Sequence, residues 1–242
     1  MRYALLSDIH ANLEALTAVL AHAEQVGVDA FLCLGDVVGY GADPGLCLGT
    51  VRERGARLVA GNHEHGVAGL LDLEWFNDVA RAAALWTAAR LSDEERAALG
   101  RLPLVLTVDG ATLVHASPRQ PEAWDYLISP RDGFEAFDFF PGQLCFVGHS
   151  HRPGVWIHGE DGYRYLPGPP TIRLDADRRF IVNVGSAGQP RDRDSRAAYA
   201  VWDAAAGSVT IHRVPYDTAT AQSKIYRAGL PRILGERLAD GR

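Results

Sequence analysis

Five short apolar runs along the 242-residue chain each end in side chains of metal-ligating type. Arg2 to Ser7 delivers Asp8 and His10, Phe31 to Leu34 delivers Gly35-Asp36, and Leu58 to Ala60 delivers Gly61-Asn62-His63. Leu113-Val114 delivers His115, and Cys145 to Val147 delivers Gly148-His149 and His151. Imidazole together with carboxylate suits first-row divalent ions such as manganese, iron, nickel or zinc, whereas calcium and magnesium prefer all-oxygen shells. The spacings Asp8-x-His10 and His149-x-His151 let neighbouring side chains point into one pocket. Taken singly, such a pair is more often a solvated loop or a hydrogen-bonded core histidine than a ligand set.

Convergence of these residues requires a fold that brings the ends of distant strands together. In α/β sheets the carboxyl ends of the strands share one edge, where ligands bind. The apolar runs Arg2 to Ser7, Ala30 to Gly35 and Arg57 to Gly61 are predicted strands, and helical spacing of Leu13, Leu16 and Leu20 predicts a helix over 12–26. A second helix is expected from Pro44, with Asp43 as its N-cap. From Gly66 to Leu102 the Ala- and Leu-rich composition predicts helix, with a capping box at Ser92 and Glu95. Leu104 to Val108 and Ala111 to Ala116 are strands joined by the turn signal Asp109-Gly110, and Leu144 to Gly148 is another. After His151 the short β-like pieces GVWIHG, GYRYL, RFIVNVG, AAYAVWD and SVTIHRV predict a second, mostly antiparallel sheet packed on the first. The tail from Asp217 is helical, and Pro231 opens its last helix.

Composition narrows the setting. A hydrophobic content of 47% is ample for a core, and one domain over 1–242 is expected, with the helical block 66–102 as an insertion. The net charge of −6 provides no general cationic field, which disfavours nucleic acid as the main partner. Cys33, Cys47 and Cys145 are odd in number and lack C-x-x-C spacing, so they read as reduced thiols in a cytoplasmic protein. The N-terminal apolar run is broken at Asp8, too early for a signal sequence or a membrane span.

The segments SDIHAN, LGDVVGYG, GNHEHG, LVHASP and GHSH resemble, in that order, the five motifs of the calcineurin-like metallophosphoesterases. NVGSAGQPRD, 183–192, is similar to the small bacterial members. The resemblance covers the chain from Met1 to about Tyr216, and five motifs in family order reverse the bland reading of each pair. It implies an α/β fold, a four-layer αββα sandwich of two mixed sheets flanked by helices. Two divalent transition-metal ions are implied, manganese ahead of iron, nickel or zinc. Asp8, His10 and His151 would hold one, Asn62, His115 and His149 the other, and Asp36 would bridge them. The implied reaction is hydrolysis of a small phosphate ester by a hydroxide shared between the ions, with His63 protonating the leaving oxygen or stabilising its charge.

Two departures qualify the likeness. Phosphoprotein phosphatases of this superfamily carry G-D-x-x-D-R-G, and here Gly39 and Tyr40 stand in place of the second Asp and the Arg. That disfavours the protein-phosphatase and dinucleotide-polyphosphatase branches and leaves His63 without its orienting carboxylate. Ala116 stands where related sequences usually have Gly. Phosphodiesters are preferred slightly over monoesters, because the motifs show no second arginine for a phosphate clamp. A phosphomonoesterase acting on nucleotides or phosphoprotein remains open. So does a non-catalytic scaffold on the same fold, although such relatives lack several ligands and all seven are present here. Arg191 is a candidate for substrate phosphate or for a salt bridge with Asp192 or Asp194; Arg119 and Trp124 either line the pocket or cover the core. Trp75, Phe76 and Trp86 read as core residues rather than stacking surfaces.

Overall fold

The computed structural model describes residues 1–168 and 170–242. Its strands are β1 Arg2–Leu6, β2 Ala30–Cys33, β3 Arg57–Leu58, β4 Val105–Val108, β5 Ala111–Val114 and β6 Leu144–Val147. They continue as β7 Gly154–Gly159, β8 Gly162–Pro167, β9 Thr171–Arg173, β10 Arg179–Asn183, β11 Ala197–Asp203 and β12 Ser208–Val214. The α-helices are α1 Leu13–Val26, α2 Pro44–Glu53, α3 Asn62–Ala68, α4 Asp78–Ala88, α5 Asp93–Leu99, α6 Pro130–Ala136, α7 Thr218–Arg227 and α8 Arg232–Asp240.

Two six-stranded mixed sheets face each other, in the orders β3-β2-β1-β11-β12-β9 and β4-β5-β6-β10-β7-β8. Strands β1, β2 and β3 run parallel in the first sheet, and β5, β6 and β10 in the second. Side chains alternate across each strand, which fixes the layers. Tyr3 and Leu5 of β1 enter the inter-sheet core with Leu32, Phe146, Phe180 and Trp202. Ala4 and Leu6 face outward against Leu16, Val19 and Leu48 of α1 and α2. In β6, Leu144 and Phe146 point between the sheets, and Cys145 and Val147 point outward to Phe137 and Trp156. Strands covered on both faces carry near-continuous apolar runs, and this is why β1 and β6 show no polar alternation. The expected four-layer αββα sandwich is the observed architecture.

Several local expectations need correction. The pieces after His151 do not form a sheet of their own: β7, β8 and β10 extend the sheet begun by β4–β6, while β11 and β12, with β9, complete the one begun by β1–β3. Alternation identifies a strand but carries no information about which sheet it joins. The helical block 66–102 is divided into α3, α4 and α5 by a 3-10 turn at Leu73–Trp75 and loops, and Ser92 and Glu95 form the expected capping box at the start of α5. Asp43 sits at the N-cap of α2, yet its carboxylate makes no cap hydrogen bond and accepts from Lys224 Nζ at 2.7 Å instead. Among the described residues no helix is long and apolar enough to cross a membrane.

Candidate metal centre

At the carboxyl ends of β1, β2, β3, β5 and β6 the chain turns sharply, and every turn presents one of the ligand-type residues. Asp8, His10, Asp36, His149 and His151 all have positive φ, between 49° and 65°. Left-handed backbone costs a non-glycine residue about 1 kcal/mol or more, so the site holds a concentration of strain. Hydrogen bonds hold the turns in place. Asp8 and His10 N–H groups donate to the carbonyls of Gly35 and Asp36, and Gly148 N–H donates to that of His115. The end of β10 and the loop after it brace the same edge: Asn183 Nδ2 donates to Gly148 O at 2.6 Å, and Ser186 Oγ donates to Asp8 O at 2.8 Å.

Two clusters of ligand atoms result, Asp8 with His10 and His151 and Asp36 with His115 and His149, and a third, His10 with Asp36 and His63, links them. His151 Nε2 lies 3.3 Å from Asp8 Oδ1, and His115 Nε2 lies 3.3 Å from Asp36 Oδ2. The same Asp36 oxygen is 3.7 Å from His10 Nε2, so one carboxylate touches both clusters. Asp36 Oδ1 is occupied by the His63 N–H at 2.9 Å. Asn62 begins α3 beside them. The structure thus brings Asp8, His10, Asp36, His115, His149 and His151 together with His63, and Asn62 lines the same cleft as His63 and His149.

The donor set fits divalent cations. His10, His115 and His151 each turn Nδ1 to a backbone carbonyl, of Val38, Leu34 and Gln189, at 3.0, 2.7 and 2.5 Å. A carbonyl accepts only, so Nδ1 carries the proton and Nε2 presents a lone pair to the centre. Yet His10 Nε2 faces His151 Nε2 at 3.1 Å, and His115 Nε2 faces His149 Nδ1 at 3.1 Å. In the His10–His151 pair both Nδ1 atoms are committed to carbonyls, so two lone pairs oppose each other at that distance and call for a cation or a proton between them. Asp8 Oδ1, Asn62 Oδ1 and His149 Nε2 are buried with no hydrogen-bond partner, where burial without one costs about 1–3 kcal/mol per group.

The electrostatics follow from burial and crowding. Burial raises the Asp8 and Asp36 carboxyls, but the imidazoles of His151 and His115 outweigh it and hold both well below the usual carboxylate range. Burial pushes His63 down to about 4 and His149 to about 3, and it lowers His10 and His151 as well. His115 is the exception: contact with Asp36 overcomes burial and lifts it to about 9.

One supporting residue escaped the sequence reading. The buried carboxylate of Glu64 accepts backbone N–H bonds from Asp36, Val37, Val38 and Gly61, at 2.6, 2.8, 3.2 and 2.8 Å. It ties the turn after β2 to the start of α3, and so sets Asp36 against Asn62 and His63. Its signal lay in the fourth position of GNHE, three residues after Gly61.

The chemistry around His63 explains the Gly39 departure. Gly39 has φ +85°, and a Cβ there would land in the His63 ring. No orienting side chain fits, and His63 Nδ1 is buried without a partner. Tyr40 packs its ring 4.5 Å from both His10 and His63.

A cleft of about 490 Å³ opens over Asn62, His63 and His149. One wall is Leu71, Trp75, Phe76 and Ala80 from the helical block, and the other is Glu122, Ala123, Trp124 and Tyr126 from the loop after His115. Trp75, expected in the core, is 84% exposed, whereas Trp86 packs inward and donates to Ala228 O at 2.9 Å. Tyr126 stacks on His149 at 3.9 Å. Of the two candidate arginines, Arg119 pairs with Asp125 at 3.2 Å and lines a separate hollow with Ser117, Asp132 and Glu135. Arg191 donates its backbone N–H to His151 O and lays its guanidinium 5.7 Å from the Tyr40 ring.

Residues 1–207 match the family model of the calcineurin-like phosphoesterase superfamily domain. An uncharacterized protein of Methanocaldococcus jannaschii is 41% identical over 243 residues, spanning 99% of this chain and 98% of its own. The crystal structure of a metallophosphoesterase from Sphaerobacter thermophilus superimposes with a TM-score of 0.87 at 40% identity, covering both chains completely. A hypothetical protein from Pyrococcus horikoshii, 22% identical, shares the fold with a TM-score of 0.79 over 100% of this chain and 98% of its own. The motifs, the sandwich and the paired clusters at its edge have one common account: the chain belongs to the calcineurin-like phosphoesterase superfamily.

Proposed function

We propose that the protein is a dinuclear metal-dependent phosphoesterase acting on small phosphate esters, with diesters ahead of monoesters. The observation that carries this reading is the set of seven ligand-type side chains, several with buried orphan atoms, under an open cleft. Asp8, His10 and His151 would hold one ion, Asn62, His115 and His149 the other, and Asp36 would be shared, with manganese the first candidate. Ions bound there would act as Lewis acids on a phosphoryl oxygen and on a water.

The chain's own groups do the remaining work. The carbonyls of Val38, Leu34 and Gln189 fix three imidazoles in the ligating tautomer. Glu64 and the Asn183–Ser186 loop hold the strained turns in register. His63 is a neutral imidazole at pH 7, suited to donating a hydrogen bond toward a leaving oxygen. A cleft with two walls would offer space for a second ester substituent, which supports diesters ahead of monoesters. Three unpaired thiols suit a reducing, cytoplasmic setting. Turnover of bis-p-nitrophenyl phosphate, p-nitrophenyl phosphate and nucleotides, screened with added manganese, tests the reading. Absence of any turnover by folded, metal-loaded protein would overturn it in favour of a scaffold.

A further inference from the structure

Arg191 and Arg237 form a pair that the motifs do not announce. Arg237 lies on α8, beyond the stretch matched by the family model, and reaches the site only through the packing of α8 on α7. Arg191 Nη2 and Arg237 Nη1 both donate to Gln189 Oε1, at 3.0 and 3.3 Å. Two like charges therefore share one neutral acceptor. Each guanidinium has five N–H donors, and the Nε of both is buried with no partner. Among the described residues neither arginine has a carboxylate within ion-pair distance. The nearby carboxylates are committed elsewhere: Asp192 to Arg213, and Asp194 to Arg196 at 2.6 Å.

The pair also stands beside the metal centre. Gln189 O is the acceptor that orients His151, and Arg191 N–H donates to His151 O. One aromatic ring, Tyr40, lies against all three groups, 5.7 Å from the Arg191 guanidinium and 4.5 Å from the rings of His10 and His63. Adjacent uncompensated guanidiniums repel unless an anion lies between them, and their planar forks match phosphate oxygens.

We propose that Arg191 and Arg237 form a dicationic subsite that binds a second phosphate of the substrate, next to the phosphoryl group placed at the metal centre. The inference rests on the phosphoesterase reading of that centre and narrows its substrates to esters or anhydrides carrying two phosphates. Arg237 is then a specificity-determining residue, while the chemistry stays with the metal-centre side chains.

Binding of methylphosphonate and methylenediphosphonate to the manganese-reconstituted protein, by calorimetry at fixed free manganese, tests this. The wild type should bind the diphosphonate about tenfold or more tightly than the monophosphonate, the worth of one or more charge-assisted hydrogen bonds. The two probes should displace each other. Arg237→Met should remove most of that preference while methylphosphonate affinity changes less than about threefold, and Arg237→Lys should restore part of it. Arg232→Met, on the same helix but paired with Glu236, should keep the preference. Equal binding of both probes by the wild type, or equal losses for both in Arg237→Met, would overturn the subsite. Turnover of bis-p-nitrophenyl phosphate and of nucleoside diphosphates by the same samples reports separately on the enzyme reading. Turnover without the preference sinks the subsite alone; preference without turnover supports the subsite and sinks the enzyme.

Discussion

His63 offers the sharpest test of how the site handles the leaving group. With its acidity near 4, only roughly one molecule in a thousand carries a cationic His63 at pH 7, and protonating it there costs about 4 kcal/mol. Bound cations push it lower still. A positioned general acid is worth about 10²–10⁴ in rate, so that cost cancels most of the benefit. No carboxylate offsets it, since Gly39 leaves Nδ1 unpartnered. The expectation is therefore that His63 acts as a neutral donor to developing charge. His63→Ala should lower kcat by about 10²–10³ for all leaving groups alike, the usual worth of one such donor. His63→Gln, which keeps an N–H, should retain part of the rate. The assay is log kcat against leaving-group pKa for aryl and alkyl esters of one phosphate, with metal content checked in each sample. A slope markedly steeper in His63→Ala than in the wild type would refute the reasoning and establish proton donation.

Asp36→Asn should abolish nearly all turnover and reduce manganese below two equivalents per chain, measured by elemental analysis; Cys33→Ala, buried in the core, should keep full metal content and lose about 1 kcal/mol in denaturant melts. The metal-free protein should weaken on acidification. His63 and His149 have folded values near 4 and 3, below the unfolded value near 6.5, so between those limits protons bind the unfolded chain first. Each histidine should then cost about 2 kcal/mol at pH 5 relative to pH 7, read from urea midpoints of chelated samples. Gly39→Ala should cost about 1–3 kcal/mol, combining positive φ with a strike on the His63 ring, and should reproduce the kinetic defect of His63→Ala at normal metal content.

The ligand-bearing strand ends were legible because each pairs an apolar run with an abrupt polar stop, a pattern set by covalent order alone. The layer architecture followed from the motifs. What stayed hidden depends on contacts between distant segments. Strands β9, β11 and β12 join the sheet of β1 through pairings that no local alternation encodes. Trp75 has the composition of a core residue, and only the 3-10 turn before α4 throws it onto the cleft wall. Arg237 sits in an amphipathic helix with several other charges, and nothing in that pattern marks it as the one that meets Arg191. Glu64 could be read only as a capping residue, because its further bonds reach back to the turn after β2.

The two ligand clusters are each drawn from both sheets. Asp8 and His10, from the turn after β1, meet His151 from the turn after β6, and Asp36, after β2, meets His115 and His149 from the opposite sheet. Metal loading would therefore rivet the sandwich along one rim, adding to the backbone bonds by which Ala187 and Gly188 donate to the carbonyls of Ser7 and Asp8. Resistance of that rim to hydrogen exchange and proteolysis would rise with free metal by mass action.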